Sequence, residues 1–222
     1  MVADRSPTRW LPVLLLSVSC LSARSAEPDT DRDGMPDALE QRLGTLPQLA
    51  EKLEEVATHA TYKPTPERLA RWDITRVRFG NVAKGRWLWA IEFAEPFETD
   101  NSSVILYVDA DSDPSTGREK HGCEAMYFQR TRGASGFASD GGSTTVPPAR
   151  IGVANGVLYL CADLDLKQVD GRSRHRIMIL SQSIEPFQAR DSMRYTEIDG
   201  PGDSERPKPV MLADTRRSVG FE

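Results

Sequence analysis

Three cysteines and three histidines in 222 residues, with an aromatic content of 7%, put several kinds of protein out of reach. So few thiols exclude a scaffold held by disulfides alone, and a chain of this length is able to bury a hydrophobic core instead. His59, His121 and His175 are scattered without the paired spacing of a zinc site, and neither a nucleophile elbow nor a glycine-rich phosphate loop occurs, so catalysis is not expected. Positive charge is also short. The 28 Lys and Arg stand against 33 Asp and Glu, a formal charge of −5, whereas a nucleic-acid surface needs a clustered excess of base. The longest apolar run, residues 11–18, is well under the roughly 20 residues that a helix needs to cross a bilayer, so no transmembrane span is expected.

That run has another use. Arg5 and Arg9 precede it, and Ser-Cys-Leu-Ser-Ala-Arg-Ser-Ala follows it to Ala26, the make-up of a secretory signal. Residues 1–26 are expected to direct export to the periplasm, cell envelope or exterior. Cys20 is a candidate for lipid anchoring, but the residues before it lack the usual leucine, which makes anchoring the less favoured outcome. Removing this segment, which carries three arginines against one aspartate, takes the formal charge from −5 to −7. Cys123 and Cys161 then remain, and an oxidising compartment permits them to pair; two buried thiols are the competing reading.

Beyond the signal the chain divides into an acidic loop with a short helix (27–44), a helix and linker (45–69), a β domain (70–200) and an irregular tail (201–222). Leu46, Leu49, Leu53 and Val56 recur every three or four residues with Glu51, Lys52, Glu54 and Glu55 between them, which predicts an amphipathic helix over 45–60. Pro64 and Pro66 then end it and stiffen the linker. Residues 73–80, 86–93, 104–109 and 176–180 read as strands from alternation or continuous apolarity, and Asn155-Gly156 between two apolar runs predicts a hairpin over 151–161. The expected fold is mainly β, an antiparallel, jelly-roll-like β-sandwich preceded by the acidic loop and short helices.

The acids are not evenly spread. From Asp29 the chain reads Asp-Thr-Asp-Arg-Asp-Gly-Met-Pro-Asp-Ala-Leu-Glu, placing acids at loop positions one, three, five, nine and twelve with glycine at six. Calcium takes six to eight hard oxygens at about 2.3–2.6 Å, and this spacing wraps a short chain around one ion. Asp29, Asp31 and Asp33 would give carboxylates, Met35 its carbonyl, Asp37 an oxygen directly or through water, and Glu40 both of its oxygens. The alternative is a solvated acidic segment capping a helix, which leaves five acids repelling one another. The stretch resembles the calcium loop of EF-hand, dockerin and thrombospondin type 3 repeats. No second loop follows, and Pro36 stands where paired loops carry a β-branched residue, so the resemblance implies one structural calcium site rather than a regulatory pair.

Asp109, Asp111 and Asp113, with Glu124 on the next strand, form a second candidate metal site, weighed evenly against a tight turn at Asp113-Pro-Ser-Thr-Gly whose acids cap backbone amides. Asp73-Ile-Thr, Ala90-Ile-Glu-Phe, the run from Leu106 through Tyr-Val-Asp-Ala-Asp-Ser-Asp-Pro-Ser-Thr to Gly117, and Gly122-Cys-Glu before Tyr127 together resemble family-nine carbohydrate-binding modules. The resemblance implies a sandwich that binds a polysaccharide or other glycan. Open aromatic faces for such a ligand would come first from Trp87, Trp89 and Tyr127, although tryptophans at strand spacing more often fill a core. The expected function is a secreted, non-catalytic calcium-binding protein with a sugar-binding sandwich. The alternatives are a structural or adhesion module of the cell envelope without a sugar site, and, less favoured, a glycan hydrolase using Asp109, Asp111 and Glu124.

Overall fold

In residues 86–93 the odd positions Trp87, Trp89, Ile91 and Phe93 and the even positions Leu88 and Ala90 are all buried. A strand closed on both faces needs a covering layer on each side, and that requirement organises the molecule. The computed structural model describes residues 27–58, 70–117, 122–130, 133–138, 149–184 and 190–206. They form an antiparallel β-sandwich with one short helix.

In chain order the elements are α1 (Asp37–Leu43), β1 (Glu54–Thr58), a 3-10 turn (Ala70–Trp72), β2 (Ile74–Ala83), β3 (Arg86–Phe93), β4 (Ser102–Asp109), β5 (Ala125–Arg130), β6 (Gly133–Ala138), β7 (Arg150–Ala154), β8 (Val157–Asp163), β9 (Gln168–Val169), β10 (Arg172–Ser183) and β11 (Arg190–Gly200). The first sheet runs β1-β2-β3-β8-β7 and the second β11-β10-β4-β5-β6, with β9 beside β10. The expected strands over 86–93, 104–109 and 176–180 lie within β3, β4 and β10, and the one over 73–80 matches β2 from Ile74 on. The hairpin turns where expected: Asn155 and Gly156 take φ values of 49° and 76°, the left-handed pair that a two-residue turn requires.

Between the sheets lies the main core, in which Ile74, Phe79, Trp87, Trp89, Leu106, Tyr127, Leu158, Ile177 and Ile179 are buried. A second, smaller core covers the outer face of the first sheet. There Met35, Leu39 and Leu43 from the loop and α1 pack on Val82, Leu88, Ala90, Ala154, Tyr159 and Cys161. The acidic loop is therefore the outermost of three layers, seated by its own apolar side chains.

The amphipathic helix expected over 45–60 does not form. Residues 45–53 have no helix, and 54–58 are the edge strand β1, paired antiparallel with β2. Leu46 and Leu49 of the anticipated stripe are 40% and 36% exposed. Tertiary contacts override the periodicity: β2 offers an open edge of backbone donors and acceptors, and Val56 and Ala57 reach the main core from it. Residues 201–206 carry no regular element. The signal (1–26), Cys20, His59, His121, Pro64, Pro66 and the tail beyond 206 lie outside the described residues. Cys123 and Cys161 are both buried and are not joined as a disulfide.

Candidate metal centre

The loop folds on itself because Arg32 and Gly34 take left-handed backbone conformations, φ 63° and +96°. Its carboxylates then accept from its own amides. Asp29 Oδ1 accepts from Arg32 N at 2.7 Å and Oδ2 from Gly34 N at 3.0 Å, while Asp33 Oδ1 accepts from Met35 N at 2.8 Å. Both oxygens of Asp37 are taken by Thr30, through its amide and its hydroxyl, each at 2.7 Å. These contacts close the loop across its start and the first turn of α1.

Three anchors dock this unit on the sandwich. The Met35 side chain is 1% exposed in the outer core. Asn155 Nδ2, at the β7–β8 turn, donates to the Gly34 carbonyl at 2.7 Å. At the other end of α1, Gly44 adopts the left-handed cap (φ 77°), and Arg86 Nη1 donates to its carbonyl at 2.9 Å.

The acids converge in two overlapping groups. Asp29, Asp31 and Asp33 each offer an oxygen within 4.8 Å of the others, and so do Asp31, Glu40 and Glu51. Ligands at about 2.4 Å from one ion can stand at most about 4.8 Å apart, so each group fits within a single calcium coordination sphere. Glu40 is 0% exposed. Both its oxygens, with Asp31 Oδ2 and Glu51 Oε2, are closed to solvent and have no hydrogen-bond donor among the described residues. Four orphaned carboxylate oxygens in one place are costly unless a cation compensates them.

The electrostatics say the same. Burial, followed by repulsion from Asp31 and Asp33, pushes the Glu40 carboxyl up to about 8. Burial and the adjoining Asp33 carboxylate push Glu51 up to about 9. Asp31 is raised as well, first by burial and then by Asp33. A divalent ion would supply the missing positive charge and restore the ionised forms.

Of the ligands expected from the spacing, Asp29, Asp31 and Asp33 meet in one group, and Asp31 meets Glu40 in the other. Asp37 is turned to Thr30, and Met35 fixes the loop through its buried side chain. Glu51 was not foreseen. It lies eleven residues past Glu40 in a stretch whose periodicity points to helix, and only the folding of that stretch across β2 brings it in.

The second acidic group is assembled differently. Asp109, Asp111 and Glu124 do converge within 4.8 Å, but Asp113 turns away to accept from Ser115 N and Oγ at 2.9 and 2.6 Å. Positive charge is already at hand: Arg176 Nε donates to Asp109 Oδ2 at 2.6 Å, and Lys167 Nζ donates to the Asp111 carbonyl at 3.1 Å. Glu124 accepts from Ala110 N at 2.6 Å and from Thr116 Oγ1 at 3.0 Å. Asp113 thus caps the turn, while Asp109, whose Oδ1 is buried without a hydrogen-bond donor among the described residues, stays with Asp111 and Glu124 in a group that could hold a metal.

The aromatic platform is overturned. Trp87, Trp89 and Tyr127 are 1%, 0% and 0% exposed, and all three lie in the main core. Trp87 stacks on Phe79 with centroids 5.3 Å apart, and its Nε1 donates to the Leu164 carbonyl at 2.9 Å. Indoles bury a large apolar area, and inward-facing alternation on β3 puts both in the space between the sheets. A cleft of about 640 Å³ does open between the loop and the β7–β8 turn, near Asp29, Arg42 and Asn155, and none of the described residues lining it is aromatic.

The class defined so far is an antiparallel β-sandwich carrying an acidic loop docked on one outer face. No protein-family model, curated protein or solved structure matches the chain.

Proposed function

We propose that this chain is a secreted, non-catalytic calcium-binding protein in which one ion, held by Asp29, Asp31, Asp33 and Glu40, clips the loop and α1 to a structural or adhesion sandwich. The observation that carries this reading is Glu40, fully buried with both oxygens lacking a donor, at the twelfth position of a calcium-type loop. Extracellular and periplasmic sites work at calcium concentrations of about 10⁻⁴–10⁻³ M, which suits a single docked loop of this kind. The signal-like residues 1–26 support the same compartment. Met35 and Asp37 complete the loop, the first through its carbonyl and the second directly or through a water.

The burial of Trp87, Trp89 and Tyr127 favours the module without a sugar site over the sugar-binding one. Calorimetric titration with calcium tests the proposal. Uptake of one ion per chain at millimolar or lower concentration is expected, with magnesium binding more weakly because it demands a rigid octahedral shell. Absence of calcium uptake, or uptake unaltered in Glu40→Gln, would remove it.

A further inference from the structure

The orphaned oxygens do not all belong to the loop and α1. Three of the four orphaned oxygens belong to Asp31 and Glu40, and the fourth is Glu51 Oε2, from beyond the loop and α1. Two separate contacts fix where Glu51 stands. Its amide donates to Asp33 Oδ2 at 3.1 Å. The next residues lie against β2 at Gly80, where an added Cβ would stand 2.7 Å from the Lys52 carbonyl oxygen and 2.6 Å from Leu53 Cδ2. Glu54 then begins β1 in register with Phe79.

Resting on the calcium reading above, we propose that Glu51 is a further ligand of the same ion, supplied from outside the loop, and that the ion thereby ties the loop to the edge strand β1. Glu40 is completely buried, and its two donorless oxygens belong to the same convergent group as Glu51. Glu51 has no cation to pair with among the described residues, unlike Glu54, which Arg172 Nη2 meets at 2.9 Å. With the ion bound, residues 51–58 are held along β2. With the ion removed, the buried carboxyls of Glu40 and Glu51 lose their compensating partner, the strap loosens, and the hydrogen-bonding edge of β2 is bared.

Calcium titration and amide hydrogen exchange of the protein, Glu51→Gln and Glu54→Gln test this. Glu51→Gln is expected to weaken calcium binding ~10-fold or more, while Glu54→Gln leaves it unchanged. In chelator, Glu51→Gln is expected to be at least as stable as the parent, because it replaces a donorless buried carboxyl with a neutral amide that can donate to the Glu40 oxygens. Calcium is expected to slow exchange across 29–40 and 51–58 in the parent but only across 29–40 in the variant. If Glu51→Gln fails to fold, Glu51→Asp, which keeps the carboxyl and withdraws its oxygens by one methylene, provides the affinity and exchange readouts. Parent-like affinity together with calcium protection of 51–58 in the variant overturns the role of Glu51 and leaves the calcium site standing. A parent that takes up no calcium overturns both.

Discussion

Arg86 Nε lies 2.8 Å from Asp163 Oδ1, and the same guanidinium donates through Nη1 to the Gly44 carbonyl at 2.9 Å. One side chain from β3 thus holds β8 and the C-terminal end of α1 together on the outer face. The last carbonyls of a helix have no partner within it, so this bond also satisfies a group that the fold buries. Arg86→Met keeps much of the volume and removes both bonds. Asp163 retains about a fifth of its side-chain exposure, so the expected loss lies near the lower end of the about 3–5 kcal/mol typical of a broken buried pair. Urea unfolding measures it. A loss no larger than that of an exposed pair, under about 1 kcal/mol, would contradict the anchoring role.

The second prediction concerns pH in the absence of calcium. Glu40 and Glu51 have folded-state values raised to about 8 and about 9 by burial and neighbouring acids, from an ordinary value of 4.5. Above 4.5 the unfolded chain has released these protons while the folded one still holds them, so stability falls as pH rises toward 8–9. The two groups share a site and titrate as a pair. In chelator, unfolding free energy from these groups is expected to decline from pH 5 to pH 9, and saturating calcium is expected to flatten that decline. Denaturation series at pH 5, 7 and 9, with and without calcium, decide it; identical slopes in both conditions would sink the idea.

Much of the sandwich is visible in short-range pattern. Asn155-Gly156 names its hairpin, and Trp87, Trp89, Ile91 and Phe93 name an inward face, because turn chemistry and alternation are local properties. β11 shows where locality fails. Its buried Met193 and Ile198 are five residues apart, a spacing that a regular strand would send to opposite faces. The register with β10 shifts between Ile177↔Thr196 and Ile179↔Met193, and the extra residue on β11 returns both to the core. The acidic loop is legible because its carboxylates sit at fixed offsets. Glu51 is not, because its place depends on Gly80 and the open edge of β2.

Gly80 accordingly offers a way to disturb the site without touching a ligand. An alanine there would bring its Cβ to 2.7 Å from a backbone oxygen, that of Lys52, so the segment itself must move. Overpacking of this kind costs about 1–3 kcal/mol. Gly80→Ala is expected to lower calcium affinity with every carboxylate intact, and the loss should be largest for amide protection of residues 51–58. Gly152→Ala is the matching change under α1, where the new Cβ would meet Leu39 Cδ1 at 2.1 Å and Arg42 Nη2 at 2.6 Å. Those are side-chain atoms, so a smaller effect on calcium is expected than from Gly80→Ala. Equal affinities for parent and Gly80→Ala would show that the segment's position does not matter to the ion.

His175, on β10, is completely buried, with the rings of Phe79 and Trp89 at centroid distances of 4.8 and 6.2 Å. Neither ring nitrogen has a hydrogen-bond partner among the described residues, and burial pushes its value down from 6.5 to about 3. The native ring therefore stays neutral in acid that protonates the unfolded chain. Between pH 6.5 and 3 the unfolded state binds the additional proton, so this residue's contribution falls with pH at up to about 1.4 kcal/mol per unit. His175→Phe removes the titration and keeps an aromatic ring in the core. The carboxylates of the acidic loop titrate in both proteins, so the difference between parent and variant isolates the histidine. That difference is expected to be flat above pH 7 and to grow in favour of the variant as pH drops toward 4, as measured by urea unfolding at several pH values. A difference independent of pH would mean that the ring titrates alike in the folded and unfolded chain, and would refute the assignment.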